Sequence, residues 1–295
     1  MSEFPGWSRE LQAALERLSI AAPHAAHGQR AGPVLSRSLG RALEFADYRA
    51  YSPGDDPKLV DWRAYNRLDR LYLRQYREER ARTITVLVDI SASLDWGIGE
   101  QHKGLYARRL AAALAWIATA HLERVRVFTL HGEDATPLST APGRAGVASV
   151  FRALGDLRCA HRLSLASAID RALRQVHERG PAFLLTDLLD ADWSAALQRL
   201  AARQEGDVVL QVLAPDEWEP PLGEEVELQD SETGELRQTR FGLGEIRDYR
   251  ARLTAFLENV HTTSSRFGLR HIAINTGVPL ADTLLKTLTR AGILG

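Results

Sequence analysis

The feature that most constrains the fold is a regular alternation of two apolar patterns that begins at residue 83. Short runs rich in β-branched residues, beginning with Thr83–Asp89, alternate with longer Ala- and Leu-rich stretches of helical periodicity. Strands that alternate with helices form a parallel sheet covered by helices on both faces. The predicted strands are 83–89, 125–130, 182–186, 208–213 and 269–274, and the predicted helices are 105–122, 147–156, 165–178, 192–203, 245–267 and 280–291.

The first 80 residues follow a different pattern. One amphipathic helix is indicated by apolar residues at helical spacing, and an irregular stretch rich in Arg, Asp, Tyr and Trp follows it, with a strand near 71–76. We therefore expect two regions. Residues 1–80 form an N-terminal helix and an irregular or β-rich arm, and residues 81–295 form the α/β domain. The helix is indicated by Trp7, Leu11, Leu15 and Leu18.

An acidic stretch near 216–240 interrupts the alternation of strands and helices. Residues 216–235 contain nine acids and no Lys or Arg. We predict a solvated insertion, in which 230–235 form the turn of a hairpin between short edge strands. The alternative is that these charges steer a basic surface of a partner towards the protein.

Composition excludes several classes of function. The 37 Lys and Arg residues are balanced by 38 Asp and Glu residues, so the basic excess of a general nucleic-acid-binding protein is missing. The single cysteine, Cys159, excludes internal disulfides, cysteine zinc sites and iron–sulfur clusters. No apolar stretch reaches the roughly 18–20 residues that a membrane span needs. We therefore expect a cytoplasmic protein that does not bind nucleic acid or insert into a membrane.

Two predicted strand ends carry residues suited to metal chemistry. Asp89, Ser91 and Ser93 follow the first strand of the α/β domain, and Asp187 follows the strand 182–186. Ligands bind outside the carboxyl ends of the strands in sheets of this kind. Carboxylate and hydroxyl oxygens are ligands that suit Mg²⁺ or Mn²⁺. The alternative is that Asp89 and Ser91 only cap the helix that follows.

A family resemblance makes this prediction more specific. Residues 89–93 resemble the metal-ion-dependent adhesion site (MIDAS) of von Willebrand factor A-like domains. The upstream block resembles the signature of the domain-of-unknown-function 58 family, and the resemblance extends from about Gly28 to the last helix. It implies an A-like, doubly wound, Rossmann-like, mostly parallel sheet. The matching segments are 40–45, 49–51, 54–56, 61–62, 74–76 and 78–80.

The resemblance also implies roles for particular residues. Asp89, Ser91 and Ser93 match the first adhesion-site motif, and Asp187 matches the aspartate at the second strand end. The third element of such sites is normally a threonine, and its position falls on Leu163 here, so that Ser164 is the nearest hydroxyl and a candidate metal ligand. If Leu163 makes the site degenerate, no metal is bound.

The upstream block contributes a second set of candidates, which bind a partner or have a structural role in the arm. Asp55, Asp56 and Asp61 could form another metal cluster. However, residues 52–57 are rich in turn formers, and several Arg residues surround Asp61 in the sequence, so turns and buried ion pairs are favoured. The complete set is Glu44, Arg49, Asp55, Asp56, Asp61 and Trp62.

The function implied by the resemblance is that of a non-enzymatic, metal-dependent protein-interaction module. Relatives of this kind act with MoxR-type AAA+ ATPases in the chaperone-like maturation or remodelling of a client protein. One alternative is a Mg²⁺-dependent phosphohydrolase of the haloacid dehalogenase type with Asp89 as nucleophile, although Ser91 stands where that chemistry needs an acid. Another is a metal-free structural scaffold.

Overall fold

A computed structural model describes residues 7–21, 43–52, 55, 60–62, 64–65, 70–78, 82–138, 143–160, 162–221, 225–229, 236–240 and 242–295. The chain divides into two compact units. One combines residues 1–24 with residues 82–295, and the other contains residues 25–81. The N-terminal helix therefore belongs to the α/β unit, whereas the sequence grouped it with the arm.

The α/β unit is built on a six-stranded sheet in the order β10-β7-β6-β3-β4-β5. All neighbouring strands are parallel except β4 and β5, which are antiparallel. This is the predicted fold class, a mostly parallel α/β sheet. The strands are β3 (Thr83–Asp89), β4 (Arg124–His131), β5 (Asp134–Leu138), β6 (Ala182–Thr186), β7 (Val208–Leu213) and β10 (Arg270–Asn275).

Helices cover both faces of this sheet. The bounds are α1 (Arg9–Leu15), α2 (Lys103–Ala120), α3 (Gly143–Asp156), α4 (Leu165–Arg174), α5 (Trp193–Ala201), α6 (Pro215–Trp218), α7 (Leu243–Arg266) and α8 (Leu280–Asp282), which continues as a π-helix over Thr283–Leu288. The helix α1 begins where the Ser8 hydroxyl accepts a hydrogen bond from the Leu11 N–H at 3.1 Å.

Two apolar cores lie on opposite faces of the sheet, and the central strand β3 contributes to both. Ile84, Val86 and Val88 pack with α1, α2, α3 and the C-terminal residues, whereas Leu87 packs with α4, α5 and part of α7. Successive side chains of a strand point to opposite faces, so a strand buried on both faces must be apolar along nearly its whole length. Asp89, the last residue of β3, is therefore the point where this buried run changes to polar chemistry.

The last strand of the main sheet and the acidic hairpin both differ from the sequence prediction. The edge strand β5 is not among the predicted strands, and it tolerates Pro137 because an edge strand can leave one backbone position unpaired. In the acidic stretch, β8 (Glu225–Gln229) and β9 (Leu236–Arg240) pair antiparallel as predicted for a hairpin. They form a separate two-stranded sheet and are not edge strands of the main sheet.

The second unit contains an antiparallel pair, β1 (Leu43–Ala50) and β2 (Tyr72–Glu78), with an irregularity between Phe45 and Asp47. An isolated bridge joins Val60 to Leu73, and the Asp61 N–H donates to the Tyr72 carbonyl at 2.9 Å. Both contacts tie the segment around residue 61 to the edge of β2.

Candidate functional site

The candidate site is formed where the adjacent parallel strands β3 and β6 end at the same edge of the sheet. The register pairs Val88 with Leu185, which brings the following residues, Asp89 and Thr186, side by side. The Thr186 hydroxyl donates to Asp89 Oδ2 at 2.6 Å, and the Ser91 N–H donates to Asp89 Oδ1 at 2.8 Å. Asp89 is only 2% exposed, so both oxygens of a buried carboxylate are held in fixed directions.

The loop after β3 places two serine hydroxyls beside this carboxylate. Residues Ala92–Leu94 form a short 3-10 helix, and Ser91 Oγ lies 3.0 Å from Ser93 Oγ in a hydrogen bond. The loop is fastened on both sides of Ile90, whose N–H donates to the Leu130 carbonyl and whose carbonyl accepts from the Ala160 N–H. The two serine hydroxyls of the D-x-S-x-S motif therefore lie next to each other, and main-chain hydrogen bonds fix the loop that carries them.

A buried lysine completes the arrangement. Lys103 Nζ donates to Asp187 Oδ2 at 2.8 Å and to Glu217 Oε1 at 2.9 Å, and the lysine is only 1% exposed. The second Asp187 oxygen, Oδ1, accepts from the Leu189 N–H at 3.2 Å. We call Lys103, Asp187 and Glu217 the lysine clasp.

The electrostatics of the site are dominated by burial and by an excess of negative charge. Burial raises the pKa of Asp89 to about 7, and the charge of Asp187 adds to this rise, although hydrogen bonds from Ser91 and Thr186 oppose it. Burial lowers the pKa of Lys103, but the charges and hydrogen bonds of Asp187 and Glu217 outweigh burial, so that its pKa is raised and the amine stays charged. Two carboxylates thus pair with one ammonium group, and a third carboxylate, that of Asp89, interacts with Asp187.

Ser164 lies in a different hydrogen-bond group from the four other predicted ligands. Its hydroxyl donates to Ser167 Oγ at 3.1 Å and to Asp192 Oδ2 at 3.4 Å. The preceding residue, Leu163, is a buried apolar residue bridged to Gly132. The hydroxyl that the resemblance leads one to expect at the third position is therefore replaced by a side chain without an oxygen, and the part of Ser164 as a metal ligand stays a prediction.

The arm candidates are described in part. Asp61 is buried and caps a short turn, since its Oδ1 accepts from the Ala64 N–H at 3.3 Å. Asp55 closes another turn by accepting from the Ser52 N–H at 2.9 Å, and Trp62 is exposed with an edge contact to Tyr65. Residue Asp56 and the side chains of Glu44 and Arg49 lie outside the described residues. The partner-binding role of this set stays a prediction.

Exposed apolar side chains flank the candidate site. Trp96 and Ile98 lie on the loop after β3, and Leu189 lies on the loop after β6; Ile98 is 90% exposed. The loop after β3 is tightly wound, because a side chain at Gly97 would lie 2.8 Å from the Gln101 carbonyl oxygen. Trp96 is anchored by its Nε1–H, which donates to Asp216 Oδ2 at 2.9 Å. The loop thus presents Ile98 on a fixed backbone.

The donor set fits a hard divalent cation in its chemistry. Asp89 is buried with hydrogen-bond donors but with no Lys, Arg or His side chain in ion-pair contact among the described residues, so a cation would stabilise the charged form that burial disfavours. Within the same part of the chain, no group of three or more His, Cys, Asp or Glu side chains is arranged to hold a metal ion. A metal at this place would therefore depend on the serine hydroxyls as well as on the carboxylates.

Fold and site together define a class of protein: a doubly wound α/β domain with an Asp- and Ser-lined site at the strand ends, of the A-like kind. Residues 47–258 match the family described as a protein of unknown function, DUF58. The chain belongs to this family, and the predicted family is confirmed.

The chain is similar to several known proteins. An uncharacterized protein of Mycobacterium tuberculosis is 31% identical over 233 residues, which cover 78% of this chain and 73% of that protein. The crystal structure of BatB from Bacteroides thetaiotaomicron is 14% identical, with a TM-score of 0.42 over 72% of this chain and 98% of that chain. The VWA domain of SpRpn10 is 12% identical, with a TM-score of 0.37 over 69% of this chain and 93% of that chain. Among the described residues, no helix combines the length and the apolar character that a membrane span requires.

Sequence reasoning missed the lysine clasp. Lys103 was not among the candidate residues, and Glu217 was placed in a solvated acidic stretch. That placement is wrong for Glu217, which lies in α6 and is partly buried against Lys103. Only one signal was available: a lysine at the start of an apolar helix, where the helix dipole disfavours a cation.

Proposed function

We propose that this protein is a metal-dependent protein-interaction module that works with a MoxR-type AAA+ ATPase in the chaperone-like maturation or remodelling of a client protein. One observation carries the proposal: Asp89, Ser91 and Ser93 converge at the carboxyl edge of the sheet, next to Asp187, with more negative charge than the neighbouring cation balances.

Asp89, Ser91, Ser93 and Asp187 would hold the cation. A bound Mg²⁺ or Mn²⁺ would have an open coordination position that a carboxylate of the partner protein could fill. The chain's own part is to fix the oxygen donors. The Ser91 N–H and the Thr186 hydroxyl hold the Asp89 oxygens in place before any partner arrives. This preorganisation reduces the ordering that binding requires.

The exposed residues around the site supply the rest of the contact surface. Trp96, Ile98 and Leu189 stand on the loops that follow β3 and β6. Large apolar side chains at the centre of an interface contribute most of its binding energy, and polar groups at its rim add orientation. A partner segment with a carboxylate between apolar residues fits this combination.

The proposal is tested by measuring the binding of the purified protein to a MoxR-type AAA+ ATPase of the same organism. Wild type, Asp89→Asn and Asp207→Asn are compared by biolayer interferometry in Mg²⁺ and in EDTA. Asp207→Asn is the matched control, since Asp207 is an equally buried aspartate at the opposite edge of the sheet. We expect EDTA and Asp89→Asn each to weaken binding about ten-fold or more, which corresponds to about 1.4 kcal/mol.

Three other outcomes would overturn parts of the proposal. Binding that is equal in Mg²⁺ and EDTA, and equal in wild type and Asp89→Asn, would favour the metal-free scaffold. Absence of any binding to the ATPase would remove the proposed partner. Steady hydrolysis of phosphate esters that Asp89→Asn abolishes would favour the phosphohydrolase alternative, in which Asp89 is the nucleophile.

A further inference from the structure

Lys103 is an unusual residue for its position. It is the first residue of α2, and a cation at the amino end of a helix is disfavoured by the helix dipole. It is also almost completely buried, which disfavours a charged group unless opposite charges pair with it. Helix stability and packing therefore do not explain a lysine here, whereas the two carboxylates that it contacts do.

The position of the ammonium group is fixed from both sides. The Lys103 N–H donates to the Trp96 carbonyl at 2.8 Å. Next to it, Gly104 packs so closely that a Cβ would lie 2.3 Å from Cys159 Sγ. On the other side, Glu217 Oε2 accepts from the Ala214 N–H at 2.6 Å, and the Tyr249 hydroxyl donates to the Glu217 carbonyl at 2.8 Å. Glu217 is thus held as a fixed acceptor for Lys103.

The clasp places a resident cation on the same carboxylate that serves the proposed metal site. Lys103 Nζ contacts Asp187 Oδ2, while the neighbouring Asp89 has no Lys, Arg or His side chain in ion-pair contact among the described residues. A divalent cation drawn to these two carboxylates must compete with the ammonium group for Asp187. Glu217 gives the ammonium group a second partner, so that the amine is not left buried and unpaired when the metal takes Asp187.

We propose that the lysine clasp sets the affinity of the strand-end site for divalent cations. Lys103 competes with the metal for Asp187, and Glu217 stabilises the ammonium group when the metal takes Asp187, which lowers the free energy cost of separating Lys103 from Asp187. This inference rests on the proposed metal-binding function and names the residues that regulate it. It predicts opposite effects for the two partners. Removing the lysine strengthens metal binding, and neutralising Glu217 weakens it.

In the experiment, the full chain is treated with EDTA, dialysed and titrated with Mn²⁺. Isothermal titration calorimetry measures the Kd. The variants are Lys103→Gln, Glu217→Gln and Asp216→Asn. Asp216→Asn is the matched control, because it removes one negative charge from the adjacent residue of the same short helix without touching Lys103. We expect Kd to rise about ten-fold in Glu217→Gln, to fall about five-fold in Lys103→Gln and to stay within about two-fold in Asp216→Asn.

The outcomes separate this inference from the proposed function. If wild type binds Mn²⁺ but Glu217→Gln matches Asp216→Asn, the clasp has no specific effect, and only the metal-binding function stands. If wild type does not bind Mn²⁺ but Lys103→Gln does, the ammonium group blocks the site, which supports the clasp and contradicts metal-dependent binding by wild type. If no variant binds Mn²⁺, both are wrong. Should Lys103→Gln fail to fold, as judged by near-UV circular dichroism, the comparison of Glu217→Gln with Asp216→Asn decides alone.

Discussion

The two ends of the central sheet each bury an aspartate, and they surround it differently. Asp89 at the carboxyl edge is 2% exposed, and Asp207 at the amino edge is 1% exposed. Asp207 Oδ1 accepts from the Ala182 N–H at 2.7 Å, so this carboxylate ties the start of β7 to the start of β6. Asp89 instead faces a hydroxyl, a loop N–H and the charge of a second carboxylate.

The surroundings of the two ends explain this difference. At the amino edge, Gly180 has φ +140, and a Cβ there would lie 2.3 Å from the Thr83 carbonyl oxygen, so that backbone closes this end. Arg203 lies near Asp207 and lowers its pKa, against a rise caused by burial. At the carboxyl edge, acids outnumber the single buried ammonium group. The carboxylate at the amino edge therefore serves the structure as an acceptor for a backbone N–H, whereas the acids at the carboxyl edge exceed the one buried lysine that pairs with them.

The largest effect that tests this comparison is expected from Lys103→Met in metal-free protein. The substitution leaves two partly or fully buried carboxylates without their cation, and removing one member of a buried ion pair destabilises a protein by about 3–5 kcal/mol. The free energy of unfolding in urea measures the effect.

The control for this measurement is Lys286→Met. Lys286 pairs with Asp282 at 3.0 Å, but both side chains are largely exposed, and such surface pairs contribute about 0–1 kcal/mol. Similar losses in the two variants would contradict the view that the carboxyl edge depends on its buried lysine.

The second prediction concerns the pH dependence at the amino edge. Burial raises the pKa of Asp207 to about 6, above its ordinary value of 3.8. Between these pH values the folded state binds more protons than the unfolded state, so this group lowers the free energy of unfolding as pH rises. The full effect is about 3 kcal/mol, since one pKa unit corresponds to about 1.4 kcal/mol.

Asp207→Asn removes this titration. We expect the difference in unfolding free energy between the variant and wild type to shift in favour of the variant by up to about 3 kcal/mol from pH 4 to pH 7. Urea unfolding of both proteins at the two pH values measures the shift. Because the difference between the two proteins is compared at two pH values, any loss of stability from the contact with Ala182 that does not depend on pH cancels. A difference that is independent of pH would show that Asp207 titrates normally.

The fold could be predicted from the sequence because its determinants are local and periodic. The buried run of β3 and the long Ala-rich apolar run of α2 each indicate a strand or a helix within one short window of sequence. β5 could not be predicted, since its five residues include Pro137 and depend on pairing with β4. The membership of α1 in the α/β unit depends on packing with residues far along the chain, such as Leu294.

The site could be predicted only where its residues share a motif. Asp89, Ser91 and Ser93 lie within one turn of chain, and Asp187 ends a recognisable strand. Lys103 and Glu217 are 114 positions apart and meet only because α2 and α6 begin at the same edge of the sheet. The excess of acidic residues around Glu217 suggested a solvated stretch. Such a local count of charges cannot show that one of these acids pairs with a buried lysine elsewhere in the sequence.

The smallest expected effect separates the surfaces at the two ends. Ile98 at the carboxyl edge and Leu122 at the amino edge are matched exposed residues, with 90% and 89% of their surfaces accessible. Neither buries much surface, so Ile98→Ser and Leu122→Ser should each change the free energy of unfolding by less than about 0.5 kcal/mol. If the carboxyl edge is the interaction surface, Ile98→Ser alone should weaken binding to the AAA+ ATPase, by about five-fold or about 1 kcal/mol. If the two substitutions weaken binding equally, exposed apolar residues contribute to binding at either end of the sheet. The two ends would then differ only in their charges.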